Sequence, residues 1–472
     1  MHSHRKLHIF TSLMLIFVLA FSSALPCSAA DESSDSTADS TSTSSSESTS
    51  AEASASTIDL GYEPYSNAVY LVNLDTGRVV YEKNADERVY PASTTKIMSA
   101  AIALTMCSEQ GLDPATTEVT VPEDVWAEFE GMNVSSIPLS GGEVLTMENL
   151  LYCMLVASGN EAASAVAAYF GRDEFISRMN QKAQELGCTG THFSNPHGLY
   201  ADDHYTTASD LYKIAAWAMT VPGFSEICST YVYTLPATNM HSERQIVTTN
   251  YLINPYSGYY TSYVYGIKTG TIDESGRCLV SIAEKNGMTY ILVLMGAPTE
   301  TTSLVWENSN SVFNETRYIY DLVFSKAELT ELVDEYTPVT EISVKYGSGT
   351  SSVVLYPAES VYGLISSDAT VDPVITYEFD LPDELTAPVE EGQVVGTATV
   401  YADGYEAGTV DLVSLTSVEF SSFSKIMSTM SDILTSAPVM IVLGVIIVAV
   451  ILYCYYMLVV VKRKQKEKED KK

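Results

Sequence analysis

One uncharged run near the C-terminus sets the organisation that this chain can adopt. Residues 439–461 contain no charged side chain, and as an α-helix these 23 residues span about 34 Å, enough to cross the hydrocarbon core of a bilayer. Seven basic residues follow within 462–472, and they disfavour the alternative of a buried core helix because nothing among them could cover it. Since basic residues stay on the cytoplasmic side, we predict a transmembrane helix over 437–461 and a basic cytoplasmic tail over 462–472. The protein is then expected to cross the cell membrane once, with everything before the helix on the extracytoplasmic side.

The first 57 residues predict two segments without a fold of their own. Arg5 and Lys6 precede an apolar stretch and the small residues 28–30, which is the order of a secretory signal peptide over 1–30. Residues 31–57 contain 17 Ser or Thr among 27 positions. We predict a flexible linker there, because such a segment cannot bury enough apolar surface to fold.

The composition of the chain excludes two broad classes of protein. Apolar residues make up 46% of the sequence, which excludes disorder along its whole length. The net charge is −34, and this argues against a nucleic-acid partner, since phosphate binding needs a basic face. The acidity is concentrated in residues 31–461, which carry 16 basic and 56 acidic side chains. We interpret it as solvation of a secreted surface.

The cysteines predict neither a disulfide framework nor a metal site. Five lie in the exterior part, an odd number at scattered positions without a Cys-x-x-Cys pair. The favoured interpretation is a set of buried free thiols, namely Cys107, Cys153, Cys188, Cys228 and Cys278. We expect no metal and no cofactor.

Residues 58–330 show strands, then helices, then strands again. Strand-like runs at 67–72 and 78–81 flank a turn and predict a β-hairpin. Residues 91–104 are apolar on nearly every face and predict a buried central helix. The remaining helices and strands are predicted over 147–170 with an interruption at 157–160, 174–186, 209–219, 278–283 and 289–295. The expected result is an α+β fold in which helices pack on an antiparallel sheet.

Past residue 330 the pattern changes to short strands separated by Gly, Pro and Asp. Alternating or β-branched runs predict a small all-β domain over 331–416. These runs are 341–346, 352–356, 374–379 and 394–401. In the following segment, 417–436, apolar residues recur at helical spacing, which predicts an amphipathic helix at the membrane or leading into it.

Three short polar clusters carry the candidate chemistry. They are Ser93-Thr94-Thr95-Lys96, Ser158-Gly159-Asn160 and Lys268-Thr269-Gly270. Each one alone is a weak signal, because such patterns occur by chance and a serine near a helix start is usually an N-cap. The combination is more specific, since each cluster supplies something that the others lack.

Ser93 and Lys96 are a candidate nucleophile and base. On a helix they lie one turn apart on the same face, so the ammonium group reaches the hydroxyl. A serine hydroxyl is a poor nucleophile until a base removes its proton. Lysine is such a base only when deprotonated, which burial and a second cation favour, and Lys268 is the candidate for that cation.

The other two clusters supply candidates for proton transfer and substrate binding. Ser158 is a candidate to relay a proton to the leaving amine, and Asn160 to hold the lysine and a substrate amide. Gly270 lets a substrate backbone lie close to a strand, while Lys268 and Thr269 are suited to bind a carboxylate.

These clusters and their surroundings resemble the low-molecular-weight penicillin-binding proteins, the serine D-alanyl-D-alanine carboxypeptidases of peptidase family S11. The similarity extends from about Gly61 to Ala297, and residues 387–396 are similar to that family's C-terminal domain. The segments that carry it are 75–85, 91–98, 158–163, 195–199 and 266–270. The resemblance implies a penicillin-binding/β-lactamase-like transpeptidase domain, with helices on an antiparallel sheet, followed by a small all-β domain and a transmembrane helix.

The resemblance also implies roles for individual residues. Ser93 matches the acyl-ester nucleophile, Lys96 its proton acceptor and Ser158 the catalytic residue of the second motif. Asn160 matches a positioning residue, and Lys268 matches the substrate-binding lysine. The implied substrate-binding set is Asn160, Lys268, Thr269, Gly270 and Thr271.

The implied activity is removal of the terminal D-alanine from peptidoglycan stem pentapeptides through an acyl-enzyme on Ser93. The backbone N–H groups of Ser93 and Thr271 are the implied oxyanion hole. β-Lactams are the implied covalent inhibitors at the same serine, and the C-terminal helix is the implied contact with the cell membrane.

Three positions depart from the family's usual pattern. Ile272 follows the third motif where Thr is usual, Tyr265 stands where Asp commonly precedes Gly-Ile, and Glu161 replaces a common Asp. None of these changes removes a catalytic atom, so we expect them to affect the substrate preference of the pocket.

Three other functions are alternatives. A class A β-lactamase shares the acylation residues but needs a Glu-x-x-Leu-Asn segment, which the sequence between Ser158 and Lys268 does not contain. A metallo-carboxypeptidase would use His197 and His204 with nearby aspartates, yet loop histidines without a His-Glu-x-x-His motif are more often structural. A catalytically silent penicillin-binding protein is disfavoured because every motif residue is present.

Overall fold

The computed structural model describes residues 58–298 and 311–469. The signal-peptide and linker predictions fall on residues 1–57 and therefore lie outside the described residues. The last part of the predicted basic tail, 470–472, lies outside them as well.

The strands of the described residues are β1 (Ala68–Asn73), β2 (Val79–Lys83), β3 (Glu118–Thr120), β4 (Val144–Thr146), β5 (Val232–Leu235), β6 (Arg244–Val247), β7 (Val264–Ile272), β8 (Gly276–Lys285), β9 (Met288–Ala297), β10 (Ala327–Val333), β11 (Thr340–Lys345), β12 (Ser352–Pro357), β13 (Val361–Ser366), β14 (Ile375–Asp380), β15 (Leu385–Thr386), β16 (Val394–Ala402) and β17 (Tyr405–Ser414). The α-helices are α1 (Lys96–Glu109), α2 (Met147–Leu155), α3 (Asn160–Phe170), α4 (Arg172–Glu185), α5 (Ala208–Thr220), α6 (Phe224–Cys228), α7 (Ser311–Lys326), α8 (Ser422–Thr435) and α9 (Ala437–Glu469). Short 3₁₀ turns lie at Ala92–Thr95 and Ala127–Phe129.

A five-stranded antiparallel sheet, in the order β2-β1-β9-β8-β7, forms the centre of the first folded region. The predicted hairpin is confirmed, since Val69 lies opposite Lys83 and Leu71 opposite Tyr81. β9 pairs with β1 on one side and with β8 on the other. β7 forms one edge of this sheet, which leaves its outer side available to the candidate site.

Both faces of this sheet are buried. Along β9, Ile291 and Val293 pack into the helical core, while Leu292 and Leu294 pack into a second core that α7 completes. Because side chains alternate between the faces of a strand, one continuous apolar run serves two cores. Full burial of each such leucine contributes about 2 kcal/mol.

The predicted central helix is confirmed as α1, which packs against α2, α3, α4 and α5. Ala100, Ala101 and Ala103 are completely buried, and their small side chains let the neighbouring helices approach closely. The helix differs from the prediction at its start, where Ala92–Thr95 forms a 3₁₀ turn. Ser93 therefore lies in the turn that leads into α1, and Lys96 is the first residue of the α-helix.

The predicted interruption in the second apolar helical region is also confirmed. α2 ends at Leu155 and α3 begins at Asn160, so the second polar cluster lies where one helix passes into the next. Thr146 caps α2 by accepting a hydrogen bond from the backbone N–H of Asn149. This arrangement presents Ser158 and Asn160 toward the start of α1.

The predicted all-β region is confirmed over β10 to β17. β10 pairs with β13, and the other strands form a six-stranded sheet in the order β14-β16-β17-β12-β11-β15. Its core is aliphatic, with Leu355, Val400 and Leu412 fully buried. We call residues 327–418 the β module below.

Two helices follow the β module. α8 confirms the predicted helix, and its apolar side chains, including Phe423, Ile426 and Met430, are exposed. α9 contains a candidate membrane span, Ala437–Lys466, whose most apolar 18-residue window has a mean hydropathy of 2.8 and is not buried against other parts of the described structure. By length and composition it is the one helix among the described residues that is suited to cross a membrane.

Candidate active site

The start of α1 places a serine hydroxyl beside a lysine amine. Lys96 Nζ lies 2.9 Å from Ser93 Oγ. The 3₁₀ turn that carries Ser93 is fixed by Thr94, whose backbone N–H and hydroxyl both donate to the carbonyl oxygen of Pro91. Ala92 has a φ of +48°, a conformation that side chains other than glycine seldom adopt and that is concentrated at functional sites.

Lys96 is completely buried and surrounded by hydrogen-bond acceptors. Besides Ser93, its Nζ donates to Asn160 Oδ1 at 2.6 Å and to the carbonyl oxygen of His197 at 2.7 Å. The lysine thus joins residues that are 64 and 101 positions away from it in the sequence. In its charged form the amine can donate to all three groups; in its neutral form it has two N–H donors, and when these bond the two carbonyl oxygens its lone pair faces the Ser93 hydroxyl.

Two buried lysines lie close together in this site. Burial lowers the pKa of Lys96 well below its usual range; the charge of Lys268 lowers it further, and Glu161 opposes the shift. Burial also lowers the pKa of Lys268 to about 7. The site therefore favours a deprotonated Lys96, which is the form that can accept a proton.

Ser158 occupies the loop between α2 and α3 in a left-handed backbone conformation, with a φ of +63°. The adjoining backbone is held by hydrogen bonds from Gly159 N–H to the carbonyl of Cys153 and from Asn160 N–H to the carbonyl of Ser135. Ser158 lines the same cleft as Ser93, whereas Asn160 lies below the surface on Lys96.

The third cluster lies on the edge strand β7, directly against the turn that carries Ser93. A Cβ atom added at Gly270 would lie only 3.1 Å from the backbone nitrogen of Ser93, so glycine permits this close approach. Thr269 and Thr271 flank it and line the cleft, while the side chain of Lys268 is buried beneath. Thr269 Oγ1 lies 2.5 Å from Thr249 Oγ1.

The structure thus brings the three predicted clusters to one cleft. Ser93, Ser158, Thr269, Gly270 and Thr271 line it, and Lys96, Asn160 and Lys268 lie behind the lining. Sequence reasoning missed the other lining residues, which are Ser135, Thr249, Tyr251, Arg277, Cys278, Val312 and Phe313. These belong to separate segments without a motif, and only the packing of the chain brings them together.

The three positions that depart from the family pattern have different surroundings, and none of them lines the cleft. Glu161 is fully buried and accepts a hydrogen bond from the backbone N–H of Ile137; burial raises the pKa of its carboxyl. Tyr265 packs at the edge of the helical core, and Ile272 ends β7 opposite Gly276.

His197 and His204 are buried hydrogen-bonding groups. His204 Nε2 lies 2.8 Å from Thr95 Oγ1, and its Nδ1 accepts from the backbone N–H of Ser194. Burial lowers the pKa of His204 to about 3. Among residues 58–298 and 311–469, no three Asp, Glu, His or Cys side chains are grouped as a metal site. The hydrogen bonds of His204 support the structural role that the sequence favours for these histidines over a role as metal ligands in a metallo-carboxypeptidase.

Cys107, Cys153, Cys188, Cys228 and Cys278 are buried free thiols, as predicted. Burial raises the pKa of Cys153 and of Cys228, so neither thiol has the character of a reactive nucleophile.

Comparison with known proteins matches both folded regions to the family that the sequence resembles. The family model for D-alanyl-D-alanine carboxypeptidase, peptidase S11, matches residues 53–299, and the model for the C-terminal domain of penicillin-binding protein 5 matches residues 328–419. The D-alanyl-D-alanine carboxypeptidase DacF of Bacillus subtilis is 31% identical over 350 residues, which cover 74% of this chain and 84% of that protein. DacA of Escherichia coli is 28% identical over 71% of this chain and 79% of its own length.

Among solved structures, penicillin-binding protein 5 from Haemophilus influenzae superposes with a TM-score of 0.60 at 25% identity. The match covers 76% of this chain and 98% of that one.

The fold and the cleft define a serine acyl-transfer enzyme of the penicillin-binding type. The chain belongs to the D-alanyl-D-alanine carboxypeptidases of peptidase family S11, the low-molecular-weight penicillin-binding proteins. It is accordingly a serine-type D-Ala-D-Ala carboxypeptidase that acts on peptidoglycan.

Proposed function

We propose that Ser93 is the nucleophile of this carboxypeptidase and that Lys96 is its base. The observation that carries the proposal is the position of Lys96 Nζ, 2.9 Å from Ser93 Oγ and held by two carbonyl oxygens. Ser93 Oγ attacks the carbonyl carbon of the penultimate D-alanine while Lys96 accepts the hydroxyl proton. The C–N bond then breaks, the terminal D-alanine leaves with a proton on its nitrogen, and water hydrolyses the ester on Ser93.

The remaining predicted residues divide between proton transfer and substrate binding. Ser158, which lines the same cleft as Ser93, delivers the proton to the leaving amine, and Asn160 holds Lys96 and a substrate amide. Lys268, Thr269 and Thr271 bind the substrate carboxylate, while Gly270 lets the substrate backbone lie along β7. A Lys268 pKa of about 7 lets this side chain carry a charge in weakly acidic and neutral solution.

The oxyanion hole in this proposal consists of the backbone N–H groups of Ser93 and Thr271. Support comes from the close approach of β7 to the 3₁₀ turn, where a Cβ atom at Gly270 would meet Ser93 N at 3.1 Å. Two fixed N–H donors stabilise the negative charge that develops on the carbonyl oxygen.

The physiological substrates in this proposal are peptidoglycan stem pentapeptides that end in D-Ala-D-Ala, and β-lactams acylate the same serine. Full-length protein in detergent is incubated with such a pentapeptide, and free D-alanine is measured beside labelling by a fluorescent penicillin. We expect release of one D-alanine for each peptide cleaved. Intact penicillin labelling without D-alanine release would contradict the carboxypeptidase assignment and would favour a catalytically silent penicillin-binding protein.

We also propose that α9 anchors the enzyme in the cell membrane as a single span, with the catalytic cleft on the cell-wall side. Support comes from the apolar span Ala437–Lys466 and from the basic residues at its C-terminal end. A protease added to intact protoplasts should remove the cleft-bearing region and leave a tag on residue 472 protected. Cleavage of the tag with the cleft-bearing region protected would contradict this orientation.

The β module is proposed to hold the cleft at a distance from the membrane, because it lies between the enzyme and its anchor in the sequence. Its deletion should reduce activity on isolated cell walls more than activity on a soluble peptide. Equal loss on both substrates would argue against a spacer role.

A further inference from the structure

A carboxylate outside the three motifs lies behind the catalytic lysine. Glu128 occupies the 3₁₀ turn Ala127–Phe129 and is only partly exposed. Its two oxygens accept from Arg172, with Oε2 2.7 Å from Nη2 and Oε1 3.2 Å from Nη1. Ser164 Oγ also donates to Oε1, and Oε2 lies 3.3 Å from His197 Nε2. Burial raises the pKa of Glu128, but the hydrogen bonds from His197, Arg172 and Ser164 together lower it to about 2. The carboxyl group is therefore an anion.

The contacts of the His197 ring define where its proton lies. Nδ1 accepts from the backbone N–H of Leu199 at 3.2 Å, which places the proton on Nε2, facing Glu128. Burial lowers the pKa of His197 against the opposing effect of Glu128, so the ring is neutral. Phe129 packs edge-on against the same ring at 5.4 Å between centroids. The imidazole thus connects the Glu128 carboxylate to the chain turn at residues 197–199.

This turn contributes a direct ligand to the proposed base. The carbonyl oxygen of His197 accepts from Lys96 Nζ at 2.7 Å. The next residue, Gly198, lies against the carbonyl group of Ala92, beside the nucleophile. A rotation of the His197 ring would release Leu199 N–H and move the carbonyl that directs the lone pair of Lys96 toward Ser93.

We propose that Glu128, held by Arg172, is a positioning residue for the acylation step. It fixes the tautomer and the orientation of His197, and the carbonyl of His197 then orients the Lys96 amine. The inference rests on the proposed role of Lys96 as the base.

The bidentate pairing with Arg172 suits this role. An unpaired carboxylate near Lys96 would favour the protonated amine, whereas a paired one fixes the ring with little net charge. Glu128 contacts His197 and is absent from the lining of the cleft, so its loss should affect the acylation rate more than substrate binding.

The test compares E128A and E128Q in the full-length protein. Acylation by a fluorescent penicillin is followed over a range of concentrations, which separates the first-order acylation rate constant from the dissociation constant of the preceding complex. In E128A the rate constant should fall about tenfold to a hundredfold, with the dissociation constant changed less than twofold. In E128Q most of the rate should return, because the amide oxygen still accepts from His197 Nε2.

Two further variants serve as controls. E109A removes a carboxylate that lies 2.5 Å from Arg178 at the C-terminal end of α1, whereas Lys96 lies at its N-terminal end, and should leave both constants unchanged. K96A should lose acylation if the proposed base is correct. If E128A does not fold, H197F replaces it, since phenylalanine keeps a ring but neither nitrogen, and the same loss of rate is expected.

Several outcomes would overturn the inference. These are a wild-type rate in E128A, a loss that appears in the dissociation constant instead of the rate, or a loss in E128Q as large as in E128A. A wild-type rate in E128A together with an inactive K96A would refute only the role of Glu128. A wild-type rate in K96A would refute the proposed base itself.

Discussion

The cleft region and the β module differ in what they bury. The first region encloses Lys96, Lys268 and Glu161, whereas the buried side chains of residues 327–418 are aliphatic, with Ser414 as the exception. Burying a charged group costs free energy of folding unless its partners are positioned for it. Two neighbouring buried lysines therefore do not stabilise a fold, and their presence points to a role in chemistry. The comparison indicates that the chemistry lies in the first region, which alone buries the two lysines.

The largest effect is expected from removal of the candidate nucleophile. S93A should lose D-alanine release and penicillin labelling by about 10⁴-fold or more, because Ser93 carries the one hydroxyl among the described residues that is hydrogen-bonded to Lys96 Nζ. The matched control is S414A, which removes a buried serine of the β module whose hydroxyl donates to the carbonyl of Thr416. It should change stability by about 1 kcal/mol and leave labelling intact. Residual covalent labelling of S93A, measured by gel fluorescence, would contradict the assignment.

The second largest effect is expected at Gly198. A Cβ atom there would lie 1.8 Å from the carbonyl oxygen of Ala92, which supports Ser93, and the φ of +88° is itself unfavourable for alanine. G198A should therefore lower the melting temperature and reduce acylation at least a hundredfold, since the turn must move away from Lys96.

The matched control for this prediction is G187A. Gly187 has a φ of +69° with nothing within 4 Å of the added atom, so this variant isolates the backbone conformation from the collision. It should lower stability by about 1 kcal/mol and keep the acylation rate. Equal loss of activity in both variants, measured with thermal unfolding alongside, would show that the contact with Ala92 is not important.

The next prediction, with a smaller expected effect, is that replacement of Lys268 changes the pH dependence of acylation. Its charge is the second cause, after burial, of the lowered pKa of Lys96. In K268A this contribution is lost, so the pKa of Lys96 rises and the ascending limb of the acylation profile moves to higher pH. K268R keeps a positive charge and should leave the limb in place or move it lower. A limb that moves to lower pH in K268A would contradict the proposed interaction between the two lysines.

The smallest effect on catalysis is expected from the β module. L412A removes a fully buried side chain from the core of this module and should destabilise it by about 2–5 kcal/mol. Penicillin acylation of the folded protein should be unchanged, because no residue of the module lines the cleft. Acylation and thermal unfolding are measured at the same temperature, and a parallel fall in both would mean that the module also shapes the active site.

The fold could be predicted from sequence where local pattern decides it. The hairpin at β1 and β2, the buried helix α1 and the interruption before Asn160 are all encoded in nearby residues, through turn residues and the spacing of apolar side chains. The 3₁₀ turn at Ala92–Thr95 could not be predicted this way, because a positive φ at an alanine is imposed by surrounding packing.

The candidate site could likewise be predicted from the sequence only where its residues are close together in the chain. Ser93 and Lys96 are three positions apart, so their contact follows from helical geometry. Glu128 and His197 are separated by 69 positions and belong to no common motif, so only the folded chain shows that they meet. Tyr251 and Arg277 also line the cleft without belonging to a sequence motif, so only the folded path of the chain shows that they lie there.

The most direct test of the central claim is mass spectrometry of the full-length protein after reaction with a penicillin. Proteolytic peptides are mapped to locate the adduct. A single added penicilloyl group on the peptide that contains Ser93, absent from the S93A protein, is the predicted result. An adduct on any other residue, or one that persists in S93A, would contradict the claim that Ser93 and Lys96 form the acylating pair.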